Sequence, residues 1–67
     1  MKISARNHLS GTVKEVKLGT VMAEVVVEVA GGEVVAAITR ASAEALELKV
    51  GDKVTAIIKA TEVMIGK

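Results

Sequence analysis

The clearest strand pattern in the chain is a run of nine residues, Val21-Met22-Ala23-Glu24-Val25-Val26-Val27-Glu28-Val29. Every odd-numbered position in it is apolar, and this alternation puts successive side chains on opposite faces of a β-strand. Gly31 and Gly32 follow at once, and both can take positive φ, which is typical of a tight hairpin. The sequence therefore predicts a strand over 21–29 that returns as a second strand over 33–39.

The segment before this hairpin predicts the first strand, over residues 9–18. Val13 and Val16 are three residues apart, and in a regular strand this spacing would put them on opposite faces of the sheet. The spacing predicts a β-bulge near Lys14 and Glu15.

The C-terminal third predicts one short helix and two more strands. Residues 42–48 favour a helix, with Ser42 as its N-cap and Leu46 facing the core. Residues 53–59 predict strand four, and residues 62–65 predict a short strand five. The side chains expected on one face of strand four are Val54, Ala56 and Ile58. The order β-β-β-α-β-β fits an all-β fold, a five-stranded Greek-key barrel of the OB type with its helix between strands three and four, in a single domain over residues 1–67.

The composition predicts a homo-oligomer. A chain of 67 residues is marginally stable alone, and this one has no cysteine for disulfides and a single histidine, too few for a zinc site. The strands are also apolar on the face turned away from the core, which favours subunit contacts. The residues expected on that outer face are Met22, Val26, Val35, Ala37 and Ile57.

Charge and composition argue against nucleic-acid and membrane partners. OB-type domains that bind single strands stack bases on aromatic residues along a basic groove, whereas this chain has no aromatic residue and a formal charge of +1. No apolar run approaches the roughly 18 residues of a membrane span, and the N-terminus lacks a secretory apolar region. We expect a cytoplasmic location.

No residue set predicts an enzyme. His8 is the only imidazole, and we expect it to be an exposed or interface residue rather than a base. The carboxylates are scattered over strands, helix and turns, where solvated pairing with lysine is the simpler interpretation.

Two donor-rich segments near the chain ends suggest an anion site: Ser4-Ala5-Arg6-Asn7 and Ile58-Lys59-Ala60-Thr61. They offer hydroxyls, a guanidinium, an ammonium and backbone N–H groups without a carboxylate. Each segment alone could be ordinary turn chemistry. Together they could converge on one anion, within one subunit or across an interface.

An ordered set of short motifs spans nearly the whole chain. It comprises Ser4-Ala5-Arg6-Asn7-His8-Leu9, Gly11-x-Val13, Gly19-Thr20-Val21-x-Ala23-Glu24-Val25, Gly31-Gly32, Ala37-Ile38-Thr39-x-x-Ser42, Leu48-x-x-Gly51 and Ile58-Lys59-Ala60-Thr61-x-Val63-Met64-Ile65. With this set the chain resembles the molbindin family, also called Mop domains, which are small OB-type domains that bind molybdate or tungstate.

The resemblance implies a hexamer, a trimer of dimers, with oxyanion sites at subunit interfaces and no organic cofactor. The principal site would use Ser4, Arg6, Lys59 and the backbone N–H of Ala60, with Ala5, Asn7, Thr39 and Thr61 completing it. A second site near the symmetry axes would use His8 and the turn Gly19, Thr20 and Val21. Several family members have a serine where this chain has Ala60.

Molybdate and tungstate are dianions at neutral pH, so a selective site should present donors alone. Glu62 adjoins the site, and strand alternation is expected to turn it away from Thr61. The resulting hypothesis is a non-catalytic cytoplasmic store for molybdate or tungstate. The alternatives are an oligomeric scaffold or partner module without oxyanion binding and, less favoured because no aromatic or roomy polar groove is evident, a protein that binds the organic molybdenum cofactor.

Overall fold

The computed structural model describes residues 2–67 and contains four strands and one α-helix. The strands are β1 (Asn7–Leu18), β2 (Met22–Val29), β3 (Gly32–Thr39) and β4 (Lys53–Ile58), and the helix is α1 (Arg40–Ala45). A single 3₁₀ turn, Ala60–Glu62, follows β4. The strands form one antiparallel sheet in the order β3-β2-β1-β4.

The two edge strands, β3 and β4, lie near each other without pairing. Residues 34–38 of β3 and residues 54–58 of β4 line the same apolar cavity of about 430 Å³. The sheet is therefore strongly curled, and it is open along the seam between these two strands.

The predicted bulge in β1 is confirmed. The register with β2 shifts between Val13 and Glu15, so that Lys14 has no partner residue across the ladder. The extra residue lets both Val13 and Val16 face the core. Lys14 instead pairs with Glu33 of β3, and this hydrogen bond raises the pKa of Lys14.

The predicted hairpin is confirmed with one change. Val29 pairs with Gly32, so the two-residue turn consists of Ala30 and Gly31. Gly31 has a φ of +87°. Gly32 begins β3 without a positive φ, because one left-handed residue is sufficient for this turn.

The core is a small aliphatic cluster on the inner face of the sheet. Val13, Val25 and Val27 are buried at its centre. Partly buried residues from all four strands and from the segment after α1 surround it, namely Val16, Val29, Ile38, Leu48 and Val54. The predicted inner face of β4 is confirmed, since Val54, Ala56 and Ile58 are its less exposed positions.

The helix starts earlier than predicted, and its cap is Thr39 rather than Ser42. The Ser42 N–H donates to Oγ1 of Thr39 at 3.1 Å, because the turn begins directly where β3 ends. At the other end, Glu47 has a φ of +52° and the N–H of Leu48 donates to the Ala43 carbonyl at 3.2 Å. This Schellman motif reverses the chain and directs Leu48 into the core.

The expectation that Leu46 faces the core was wrong for the same reason. Leu46 precedes the left-handed residue and is 67% exposed, at the rim of the cavity between β3 and β4. Leu48 occupies the core position that was predicted for Leu46.

The predicted fifth strand is absent, so the sheet is four-stranded and not a five-stranded barrel. After β4 the chain enters the 3₁₀ turn, and residues 63–67 have no strand partner among residues 2–67. Val63 keeps an extended backbone, with φ −91° and ψ 129°, while Met64 and Ile65 are each 91% exposed. The C-terminal apolar segment, residues 63–65, therefore begins in an extended conformation but makes no strand pairing.

The outer face of the sheet is partly apolar, as predicted. Met22 and Val35 are exposed there, whereas Val26 is only 9% exposed. Val21 was expected to be in β2 but precedes its first residue and is exposed.

Candidate functional site

The register of β1 and β4 brings the two donor-rich segments together. Asn7, the first residue of β1, pairs with Ile58, the last residue of β4. Residues 4–6 and 59–61 consequently leave the sheet at the same end. Both line one surface cavity of about 240 Å³, to which each contributes three residues. The convergence that the sequence left open occurs within a single chain.

A side-chain hydrogen bond links β1 and β4 at the end of the sheet next to this cavity. Nδ2 of Asn7 donates to the carbonyl oxygen of Ile58 at 3.1 Å. Asn7 does not line the cavity, so within one chain its contact holds the two walls together.

The second wall is the 3₁₀ turn. Lys59 caps it with an extended backbone, and the Glu62 N–H donates to the Lys59 carbonyl at 2.9 Å. The N–H groups of Ala60 and Thr61 come before this first bond and have no acceptor inside the turn. They add two backbone donors to the ammonium of Lys59 and the hydroxyl of Thr61.

The cavity is lined by donors and small apolar groups and by no carboxylate. Arg6 and Lys59 carry positive charge, and Ser4 and Thr61 carry hydroxyls. Glu62 does not line it, as expected, although the reason is the 3₁₀ turn and not strand alternation. Five of the six lining residues are exposed, so a single chain supplies an open, electropositive concavity suited to an anion.

Thr39 lies away from this cavity in the same chain. It ends β3, the edge strand opposite β4, and its hydroxyl caps α1 and contacts the Ser42 hydroxyl at 2.8 Å. Within one subunit its observed contacts are those of a helix cap.

The residues predicted for the second site do not come together in one chain. His8 is near the start of β1, and the turn Gly19, Thr20 and Val21 follows the other end of the same strand. Gly19 lines a different surface cavity, of about 380 Å³, that also includes Glu24. Nε2 of His8 instead contacts the carbonyl oxygen of Ala5, a residue of the first cavity.

Sequence reasoning missed one residue that shapes the Gly19 turn. Arg40 donates from Nη1 to the Gly19 carbonyl at 3.3 Å, and its backbone N–H donates to the Val21 carbonyl at 2.7 Å. No local pattern signals this contact, because the two segments are about twenty residues apart.

Residues 2–67 contain no group of three or more His, Cys, Asp or Glu side chains arranged to hold a metal ion. Over the same range, the single α-helix is too short to span a bilayer.

The TOBE domain family model matches residues 3–65, almost the whole chain. The chain belongs to the TOBE domain family.

Two relatives of this TOBE domain share more than half of its residues. It is 54% identical over 66 residues to Molybdenum-pterin-binding protein 3 of Clostridium pasteurianum, covering 97% of each chain. It matches the structure of a molybdate binding protein from Sporomusa ovata at 57% identity, with a TM-score of 0.93 and all of both chains covered. These relatives confirm the resemblance to Mop domains and a mostly β, OB-like fold with one short helix.

A third neighbour is the cytoplasmic molybdate-binding protein ModG, whose structure has molybdate bound. The identity is 43% and the TM-score is 0.84, and the match covers 90% of this TOBE domain and 43% of the ModG chain. The names of the relatives thus refer to molybdate in two cases and to a molybdenum pterin in the other.

Proposed function

We propose that this TOBE domain binds molybdate or tungstate in the cavity between residues 4–6 and 59–61. The observation that carries the proposal is the lining of this cavity, which combines Arg6, Lys59 and two hydroxyl side chains with no carboxylate. The named relatives that bind molybdate support the same ligand class.

The donor set explains a preference for a fully deprotonated oxyanion. Molybdate and tungstate oxygens only accept hydrogen bonds, so every lining donor can be used. A phosphate that keeps a proton must also donate, and the cavity offers no side-chain carboxylate as its acceptor. Discrimination against sulfate, which is also a dianion, then depends on cavity size and on how rigidly the two walls are held.

An open cavity argues for completion by a second subunit. Lys59 and Arg6 are exposed in the single chain, so an anion held there would remain largely hydrated. Burial of the site at an interface would strengthen the same contacts by excluding water. In the assembly we place Thr39 of a neighbouring subunit at the rim of the principal site, and the Gly19–Val21 turn near a second one.

The apolar surface supports a homo-oligomer, for which we propose a hexamer built as a trimer of dimers. Met64 and Ile65 are almost fully exposed, and the seam between β3 and β4 leaves an apolar cavity open. Covering such surface contributes about 1.5–3 kcal/mol for each large aliphatic side chain. A marginal chain of 67 residues gains the stability it needs from these contacts.

The proposed role is non-catalytic storage or buffering of the oxyanion in the cytoplasm. No histidine or carboxylate lines the cavity to activate the hydroxyls of Ser4 and Thr61, and the ModG neighbour is a cytoplasmic protein. The name of the clostridial relative favours a second candidate, binding of a molybdenum pterin. The cavity offers a pterin ring no aromatic residue to stack on, because the chain has none.

The deciding experiment is calorimetric titration of the purified protein with molybdate, tungstate, sulfate and phosphate, with its mass measured by light scattering in the same buffer. Tight binding of molybdate or tungstate by an oligomer, with sulfate and phosphate far weaker, is the expected result. No heat from any of the four would reject the oxyanion store and leave the scaffold alternative. A molybdenum pterin that binds while molybdate does not would instead favour the second candidate.

A further inference from the structure

His8 lies beside the oxyanion cavity without lining it. Its position in β1 pairs with Ile57 of β4, on the outer face of the sheet, and its side chain is exposed. From there the imidazole reaches back three residues, and Nε2 meets the carbonyl oxygen of Ala5. Ala5 is the central residue of the first wall of the cavity.

The chemistry of this contact fixes the direction of the hydrogen bond. A carbonyl oxygen only accepts, so Nε2 must carry the proton and donate. The bond holds the Ala5 carbonyl toward the imidazole. A carbonyl oxygen that turned into the cavity would bring a partial negative charge toward a dianion, and breaking the bond to His8 adds to the free-energy cost of this rotation.

Asn7 and His8 therefore act on complementary parts of the same site. Asn7 links the two walls through its hydrogen bond to the Ile58 carbonyl, whereas His8 contacts the backbone of the first wall at Ala5. These two bonds restrain Ala5 and Asn7, the residues on either side of Arg6 in the chain.

We propose that His8 is a positioning residue of the oxyanion cavity, acting through its Nε2–H bond to the Ala5 carbonyl and not as a ligand. This inference rests on the proposed function. For this positioning role a neutral N–H donor at position 8 is sufficient, and the positive charge of an imidazolium is not required.

The test compares three variants by calorimetric titration with molybdate at pH 8, with the unfolding temperature and mass of each measured. H8L removes the donor, and H8Q keeps a neutral N–H at a similar reach. S10A is the control, because Ser10 lies on the same face of β1 two residues on and does not line the cavity. Loss of one such hydrogen bond predicts a three- to tenfold weaker affinity for H8L. H8Q and S10A are expected to stay within about twofold of the parent protein.

Three results would overturn the inference. Equal affinities for H8L and the parent would remove any role, and a loss in H8Q as large as in H8L would indicate a charged or direct ligand. The third is independent of the ligand: a ¹⁵N spectrum of the free protein at pH 8 showing the proton on Nδ1 would exclude the bond itself. If the parent protein binds no oxyanion, the proposed function fails, and the inference fails with it whatever the ¹⁵N spectrum shows.

Discussion

Gly11 gives the sharpest test of the packing that supports the site. It lies in β1 between Val29 of β2 and Val54 of β4. A Cβ added there would stand 2.5 Å from the Glu28 carbonyl oxygen and 2.6 Å from Cγ1 of Val27. The carbonyl belongs to a paired strand and cannot rotate away, so we expect G11A to show the strain of an overpacked core.

The size of the effect follows from two opposed terms. Overpacking costs about 1–3 kcal/mol, and a backbone clash puts this case in the upper half of that range. Replacing glycine within a strand recovers about 0.5–1 kcal/mol of chain entropy. The free energy of unfolding should therefore fall by about 1–2.5 kcal/mol.

The assay is urea unfolding at one fixed protein concentration, since the stability of an oligomer depends on concentration. The matched control is G32A, because Gly32 begins β3 and a Cβ there meets no atom within 4 Å. Its stability should be unchanged or higher by up to about 1 kcal/mol. A G11A protein as stable as G32A would refute the close packing of β1 against β2.

Further predictions concern the site, the assembly and the helix cap. In calorimetric titration, K59A should bind molybdate about ten- to a hundredfold more weakly, as expected for loss of a charge-assisted hydrogen bond. K49A is the control, because it removes the same charge away from the cavity, and it should bind molybdate as the parent protein does. M64D should lower the mass measured by light scattering, because it puts a charge into the exposed apolar segment; an unchanged mass would exclude that segment from the interface. T39A should lower the free energy of unfolding by about 1 kcal/mol through loss of the α1 cap, and T39S should restore it; equal urea midpoints for the two would contradict the capping role.

Local patterns were sufficient for most of the sheet. The alternation in residues 21–29 and the glycine at position 31 predicted β2 and its hairpin, and both are present. The valine spacing predicted the bulge, which is where the register shifts. These features depend on neighbours within a few residues, which is the range that sequence patterns describe.

The errors share a different cause. Residues 62–65 have the composition of a strand, but a strand requires a partner edge, and none is reached after the 3₁₀ turn. Leu46 was expected to face the core from a helix over residues 42–48. The left-handed backbone at Glu47 ends it first, and the sequence gives no glycine or asparagine there as a signal.

For the site, the chemistry of the side chains can be derived from the sequence, whereas their arrangement depends on how the sheet folds. Side-chain types in residues 4–7 and 58–61 establish a donor set without carboxylates. Their meeting in one cavity depends on the pairing of Asn7 with Ile58, fifty-one residues apart in the chain. The same ladder separates His8 from the Gly19 turn and leaves it against Ala5. Residue identity is local, whereas register is fixed only when the whole sheet packs its aliphatic face, and for that reason contacts across the chain could not be derived from the sequence alone.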